Sequence, residues 1–354
     1  MKVMVGVSGG VDSAVAALLL RDQGVELEAL FMANWDEDDA YCSQAADYQD
    51  ARAVCKELGI VLHRVDFAAE YRRRVFDDFL AAHRAGRTPN PDVLCNREIK
   101  FGVALDHARR LGATHLATGH YARRVDGADG PELHKAADRA KDQSYFLHAM
   151  TRDQLAAAIF PLGGLTKPEV RARARAAGLH VHDKQDSTGI CFIGERPFRE
   201  FLAQWLPDSP GPVFDEQGIE LGRHRGLAFH TIGQRAGLAI GGLRGRAEAP
   251  WYVARKDAAR NALVVVQGQQ HPLLMSGTVV TAPAHWLVPP RAGRFRCAAK
   301  VRYRQADQDC EVQVGDDGRL ALHFDLPQRA VTPGQFAVLY EGERCLGGAA
   351  IEPI

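Results

Sequence analysis

No two cysteines in this sequence stand in a C-x-x-C pair. The seven present, at positions 42, 55, 95, 191, 297, 310 and 345, are scattered and odd in number. That argues against a zinc ribbon or a secreted disulfide framework and favours a reducing compartment. No apolar run approaches the roughly 20 residues needed to span a bilayer. The opening Met1-Lys2-Val3-Met4-Val5 runs into a strand-like segment without an apolar leader core or a cleavage site. A cytoplasmic protein with no membrane partner is therefore expected. There is no net charge either, with 44 basic against 44 acidic residues. Any nucleic-acid surface must be local. Internal repeats and low-complexity tracts are absent. What is there is a 354-residue chain, 46% hydrophobic and 25% charged. This is the profile of a globular protein of two or three domains.

The first third alternates strand and helix signals. Val3–Val7, Val25–Phe31, Ile60–Val65 and Thr114–Thr118 read as strands. Ser13–Asp22, Ser43–Leu58, Ala68–Ala85 and Val93–Leu111 read as helices, with Gly24 and Gly59 as stops. This order predicts an α/β domain with a doubly wound parallel sheet, its ligands beyond the carboxyl ends of the strands. Thr166 to Glu169, with Pro168 in the first turn, predicts a capping box. After about Arg199 glycine and proline become frequent, and short β-rich runs appear at 251–254, 263–266, 277–281, 294–304, 320–324 and 336–340. The expected division is 1–200 for the catalytic domain, 201–273 for a small central β domain and 274–354 for a C-terminal β-barrel.

Ser8-Gly9-Gly10-Val11-Asp12-Ser13 lies between the first strand and the first helix. Its glycines let backbone approach a phosphate, its serines donate, and the helix N-terminus adds unpaired N–H groups. The lysine of a G-x-x-x-x-G-K-[ST] loop is missing. The string resembles the PP-loop of ATP pyrophosphatases, which implies cleavage to AMP and pyrophosphate. Asp12 reads either as an N-cap or as a helper for magnesium entering with ATP.

Each cysteine, by spacing alone, reads as a small buried hydrophobe. Cys95 follows Asn90-Pro91-Asp92, which predicts Asp92 as an N-cap and Cys95 in the first helical turn, where the dipole favours a thiolate. Cys191 falls in the turn-rich Asp186-Ser187-Thr188-Gly189-Ile190-Cys191-Phe192.

Longer strings lift two cysteines out of that reading. Thr88 to Phe101 (TPNPDVLCNREIKF), Ala117 to Tyr121 (ATGHY), Lys141 to Leu147 (KDQSYFL) and Asp186 to Gly194 (DSTGICFIG) resemble the tRNA-specific 2-thiouridylase family. So do His230 to Arg235 (HTIGQR), Pro250 to Val253 (PWYV), Lys300 to Arg304 (KVRYR) and Pro333 to Gln335 (PGQ). The resemblance runs in order along essentially the whole chain. Its small departure is Ala349, where the family often has glycine.

The resemblance implies 2-thiolation of a tRNA uridine, at wobble position 34. It casts Cys95 as nucleophile, Cys191 as persulfide carrier and Asp92 as proton-transfer helper. ATP would meet Gly6, Val7, Ser8, Gly9, Gly10, Val11, Asp12, Ser13, Met32 and Gly119. Asn90, Pro91 and Asp92 would meet the target base. Other tRNA contacts would be His120, Lys141, Asp142, Gln143, Tyr303, Arg304 and Gln335. A persulfide donor protein is implied as partner. ATP enters as co-substrate with magnesium, and no tightly bound metal is expected.

The chemistry stands on its own terms. A uracil carbonyl is a poor electrophile, and an O-AMP ester gives it a leaving group. A persulfide brings nucleophilic sulfur, and a second thiol breaks the S–S bond.

Arg294, Arg296, Lys300, Arg302 and Arg304 fall on even positions. One strand would place them on one face, either solvated or tracking phosphates, with Phe295, Cys297, Val301 and Tyr303 opposite. His180 and His182 read as surface residues rather than a metal pair. Two rival classes stay open. An AMP-forming amide ligase would share the loop but not need paired cysteines. A non-catalytic RNA-binding module would not need the loop.

Overall fold

The computed structural model describes residues 1–35, 44–185, 197–238, 240 and 249–353. The chain opens β1 (Lys2–Gly6), α1 (Val11–Asp22), β2 (Glu26–Ala33), α2 (Gln44–Leu58) and β3 (Val61–Asp66). Two long helical runs follow, α3 (residues 68–84) and α4 (residues 91–110). Then come β4 (His115–Ala117), the hairpin β5 (Ala122–Gly127) and β6 (Gly130–Lys135), β7 (Ala158–Ile159), α5 (Lys167–Ala176) and α6 (Phe198–Trp205).

Strands β1, β2, β3, β4 and β7 form a parallel sheet in the order β3-β2-β1-β4-β7. The chain runs outward from β1 through β2 to β3, then returns to the other side of β1 at β4. The crevice between β1 and β4 is thus the switch point, where α/β sheets bind ligands. Val3, Met4 and Val5 are fully buried, as a central strand covered on both faces requires. Met4 joins Leu30 and Leu116 under the aromatic side chains of α3 and α4. Val3 and Val5 face the other way, onto α1, α2 and α5. The doubly wound architecture expected from the strand–helix alternation is therefore present. The capping box at α5 is also formed: the Thr166 amide donates to Glu169 Oε2 at 2.7 Å.

Both long helices contain wide turns. Residues 72–76 of α3 and 95–104 of α4 have π-type bonding, and α4 kinks at Gly102 (φ −97°, ψ −105°). A Cβ there would lie 2.9 Å from the Arg97 carbonyl oxygen.

The central sheet has the order β10-β11-β8-β9, built from β8 (Gly211–Phe214), β9 (Glu220–His224), β10 (Trp251–Asp257) and β11 (Ala262–Gln267). The C-terminal part holds β12 (Met275–Pro283), β13 (His285–Trp286), β14 (Arg294–Lys300), β15 (Gln308–Val314), β16 (Arg319–Arg329), β17 (Phe336–Glu341) and β18 (Arg344–Ala350). Six of these run β12-β16-β15-β14-β17-β18. The Thr281–Ile351 bridge and the Glu352 N–H to Val280 carbonyl bond close them into a barrel, which removes the exposed edges.

Three features depart from expectation. Helix α6 lies where helical periodicity was expected to fade, and the boundary expected at residue 200 falls inside it. Phe198, Phe201, Leu202 and Trp205 recur at helical spacing, and Phe201 and Leu202 are fully buried. The hairpin β5–β6 extends the barrel sheet, with His134 opposite Arg344 and Leu133 opposite Cys345. Finally, β14 stops at Lys300. Residues 301–304 turn, with Arg304 at φ +65°.

Candidate active site

The loop after β1 is tied on itself. The Ser8 amide donates to Ser13 Oγ at 3.1 Å, and Ser13 Oγ donates to the Gly10 carbonyl at 3.0 Å. Gly9 sits at φ +79°, and a Cβ there would lie 2.3 Å from the Asp47 carbonyl oxygen. Only glycine suits both conditions. The helix cap is Gly10, so Asp12 is not the N-cap but lies in the first turn of α1. Gly119, after β4, abuts that same turn: its Cβ would be 2.8 Å from the Ser13 nitrogen. Gly6 faces Met32 Cε and Thr118 Cγ2 at Cβ distances of 3.4 and 3.8 Å. Gly6, Val7, Ser8, Gly9, Gly10, Val11, Asp12, Ser13, Met32 and Gly119 are therefore gathered at one end of the sheet, around the start of α1. The arrangement offers helix N–H groups and glycine backbone to an anion.

Asp12 has two partners that sequence reasoning missed. Both carboxylate oxygens accept from Lys167 Nζ at 2.8 Å, and Tyr121 Oη donates to Oδ1 at 2.8 Å. Lys167, 8% exposed, is the first residue of α5. A cation thus stands at the loop although the loop contains none. Lys184 is a third missed residue. Its Nζ donates to the Gly9 carbonyl at 3.1 Å and to Asp47 and Asp50 at 2.8 and 2.5 Å. Burial opposes its charge, but the two carboxylates outweigh that and raise its pKa. Its place two residues before the Asp186 string was the available signal.

Asn90 caps α4, Pro91 is its first residue and Asp92 its second. Asp92 is therefore not the cap. Burial raises its carboxyl pKa, with the Lys100 charge pulling the other way. A carboxyl so placed holds a proton more readily than an exposed one. Cys95 lies beyond the first turn, with its N–H bonded to the Pro91 and Asp92 carbonyls, and it is 2% exposed. The helix-dipole argument for a thiolate weakens at that position, because the effect fades after the first turn. Cys95 belongs to the same large buried cluster as Met4, Leu30 and Leu116, with Met32 packed against it. Cys191 lies outside the described residues.

The remaining predicted contacts divide. Lys141 and Tyr303 are half-buried beside Asp142, with the Tyr303 ring 4.3 Å from that of Phe146. Arg304 lies over Tyr303 at 5.6 Å. Asp142 is 5% exposed, and its carboxylate accepts from Ala136 N–H and from Ser144. His120 is buried, bonded to Thr118 at 2.8 Å, with its pKa lowered by burial and by Lys100. Gln143 accepts from Tyr121 N–H at 2.9 Å. Gln335 donates to the Thr88 and Pro89 carbonyls at 2.9 and 3.2 Å. Asp142, His120, Gln143 and Gln335 thus have hydrogen-bond partners within the chain, the first two buried and the last two half-buried.

The one-sided basic strand is shorter than expected, and Arg302 and Arg304 leave its face. Arg296 is bidentate to Asp325 at 2.8 and 2.6 Å, while Arg302 bonds the Arg329 carbonyl. His180 meets Glu57 and Asp50 rather than a metal set. Among the described residues no three metal-ligating side chains cluster. No helix there is long and apolar enough to cross a membrane.

Comparison with known proteins covers nearly the whole chain. Residues 1–195 match the tRNA methyl transferase HUP domain model. Residues 199–267 match the tRNA methyl transferase PRC-barrel domain, and 276–351 the Aminomethyltransferase beta-barrel domain. The tRNA-specific 2-thiouridylase MnmA of Marinobacter nauticus is 56% identical over 99% of this chain and 91% of its own. That of Hahella chejuensis is 55% identical over 100% and 98%. That of Shigella boydii serotype 18 is 54% identical over 99% and 96%.

Proposed function

This chain belongs to the tRNA-specific 2-thiouridylase family, and from that premise we propose that it replaces the 2-oxygen of a tRNA uridine by sulfur at the expense of ATP. The observation that carries the reading is full-length identity of 54–56% to three such enzymes. The gathering of the glycine loop, Met32 and Gly119 at the β1/β4 crevice supports it.

ATP occupies the loop, its phosphates on the N-terminus of α1. The uridine O2 attacks the α-phosphorus, pyrophosphate leaves, and an O-AMP ester forms. Magnesium enters with ATP, and Asp12 is the carboxylate within the loop able to share it. Asn90, Pro91 and Asp92 hold the target base, at wobble position 34, and Asp92 moves the proton. Cys191 carries the incoming sulfur as a persulfide received from a donor protein. The persulfide sulfur attacks C2 and AMP departs. The Cys95 thiolate then attacks Cys191 Sγ, which breaks the S–S bond, releases 2-thiouridine and leaves a Cys95–Cys191 disulfide. Alternatively Cys95 first displaces hydrosulfide, which attacks C2; the disulfide is the same. A reductant restores both thiols. The three-part division of the chain belongs to this reading, with the first boundary moved ahead of α6: the part before that helix performs the chemistry, and the central sheet and the C-terminal barrel add surface for tRNA.

The test is nucleoside mass spectrometry on tRNA incubated with enzyme, ATP, magnesium and a persulfide source. One equivalent of 2-thiouridine per enzyme is expected without reductant and many with it. Peptide mapping after the reductant-free turnover should find Cys95 linked to Cys191. Free thiols at both positions beside newly formed 2-thiouridine would overturn the paired-cysteine step.

A further inference from the structure

The segment leading into α4 is gripped from two sides. On the barrel side, the Thr88 N–H donates to the Pro333 carbonyl at 2.9 Å. Gln335 holds the next two carbonyls. Gly334, at φ +93°, approaches so closely that a Cβ would lie 2.9 Å from the Thr88 oxygen. On the central side, Lys256 Nζ donates to the Gly86 carbonyl at 2.9 Å, and Thr231 Oγ1 lies 3.3 Å from Thr88 Oγ1. The His83 ring lies 3.1 Å from the Ala228 carbonyl through Nδ1. The turn carrying Thr231 is itself fixed to β10, through Gly233 N–H to Val253 carbonyl at 2.7 Å and the reciprocal Val253 N–H to Gln234 carbonyl at 3.0 Å. Lys256 stands on that same strand.

Among the described residues no carboxylate pairs with Lys256 within 4 Å, and its charged neighbours do not offset it. His83 and His230 are held neutral by burial, and His230 also feels Arg199. A desolvated ammonium without a counter-charge is costly, and the bond that Lys256 makes here is to a backbone carbonyl. That carbonyl lies four residues before Asn90, at the start of the segment that presents Asn90, Pro91 and Asp92.

We propose that Lys256 is a positioning residue for thiolation: from the central β domain it fixes the Gly86 carbonyl and so sets where α4 presents Asp92 and Cys95 to the target base. This rests on the thiolation reading above.

The test compares wild type, Lys256→Met and Lys256→Arg in single-turnover formation of 2-thiouridine between pH 6.5 and 9. KM for ATP and the thermal midpoint are measured alongside. Lys256→Met should slow thiolation by about tenfold, since small misplacements of reacting groups are costly. KM for ATP should stay within about twofold of wild type, because the loop after β1 is untouched. Lys256→Arg, which keeps a charged donor, should recover most of the rate. Burial pushes the Lys256 ammonium down to about 8, so the wild-type rate should fall above that pH and the Met variant should lack this fall. A Met variant with wild-type thiolation overturns the proposal. So does a parallel fall of thiolation, ATP affinity and thermal midpoint that Arg does not recover. Should the Met variant fail to fold, the wild-type pH profile and the Arg variant still decide. A wild-type enzyme that makes no 2-thiouridine at all would instead overturn the functional reading.

Discussion

Gly119 follows the carboxyl end of β4, where a parallel sheet binds its ligands, and the structure gives its lack of a side chain a physical reason. Its missing side chain lets the loop after β4 lie against the first turn of α1, 2.8 Å from Ser13 nitrogen at the Cβ position. Gly119→Ala must therefore push that helix start outward. The expected result is a rise of at least about tenfold in KM for ATP, with the thermal midpoint little changed. Steady-state pyrophosphate release across ATP concentrations measures it. Asp12 makes a second prediction. Replacing it by Ala removes the carboxylate that both Lys167 Nζ and Tyr121 Oη hold beside the loop, which loosens the first turn of α1. AMP production should vanish, whereas ADP as the main product of wild type would defeat the pyrophosphatase reading. The serines, glycines and Asp12 were legible because they are contiguous. The roles of Lys167 and Tyr121 were not, since each reaches the loop from a distant element: one opens a capped helix and the other closes the ATGHY string, and neither position points to Asp12.

At the scale of elements, periodicity located the helices well and their internal bonding not at all. Nothing in the apolar spacing of 68–84 or 91–110 distinguishes α from wider turns. The basic strand shows how a pattern misleads. Even-numbered charges imply one face only while the strand lasts, and β14 ends at Lys300. Arg296 is neutralised by Asp325, whereas Arg304 stands beyond the strand over Tyr303. Arg304→Gly suits the positive φ and removes the charge. It should lower the log–log salt slope of tRNA binding by roughly 0.7 to 0.9. Arg296→Ala should leave the slope unchanged. Filter binding from 50 to 200 mM salt, the range over which such contacts show, separates the two.

Across the whole molecule, the junction of the catalytic and central parts is rich in buried imidazole. Burial lowers His83 and His230 from 6.5 to about 4. Both are neutral in the fold and protonate first in the unfolded chain. Their contribution is complete above pH 6.5 and drains away as pH falls toward 4, on the order of 3 kcal/mol for each group. That is a large share of ordinary domain stability. The thermal midpoint should drop steeply between pH 6.5 and 4.5. In His230→Gln, which cannot take the proton, the slope should be shallower, by differential scanning calorimetry. The sequence offered no warning of this junction, because His83 and His230 come near the same Lys256 only once the catalytic and central parts have packed together. The parallel sheet was legible from local alternation. The hairpin β5–β6 was not, because its outer partner is a strand near the far end of the chain.

That hairpin makes the catalytic part and the barrel halves of one hydrogen-bonded surface. Strand β18 offers one margin to β6 and β13 together. Arg123 and Arg139 both reach Glu343 across the seam, and Lys135 reaches Asp307 and the Gly342 carbonyl. A cut at Gln270, in the connection before the barrel, would leave two pieces with matching raw margins. Each piece alone would be sticky and poorly soluble. Produced together, they would find each other without a linker, and the enzyme could be run as a split pair whose activity reports their encounter.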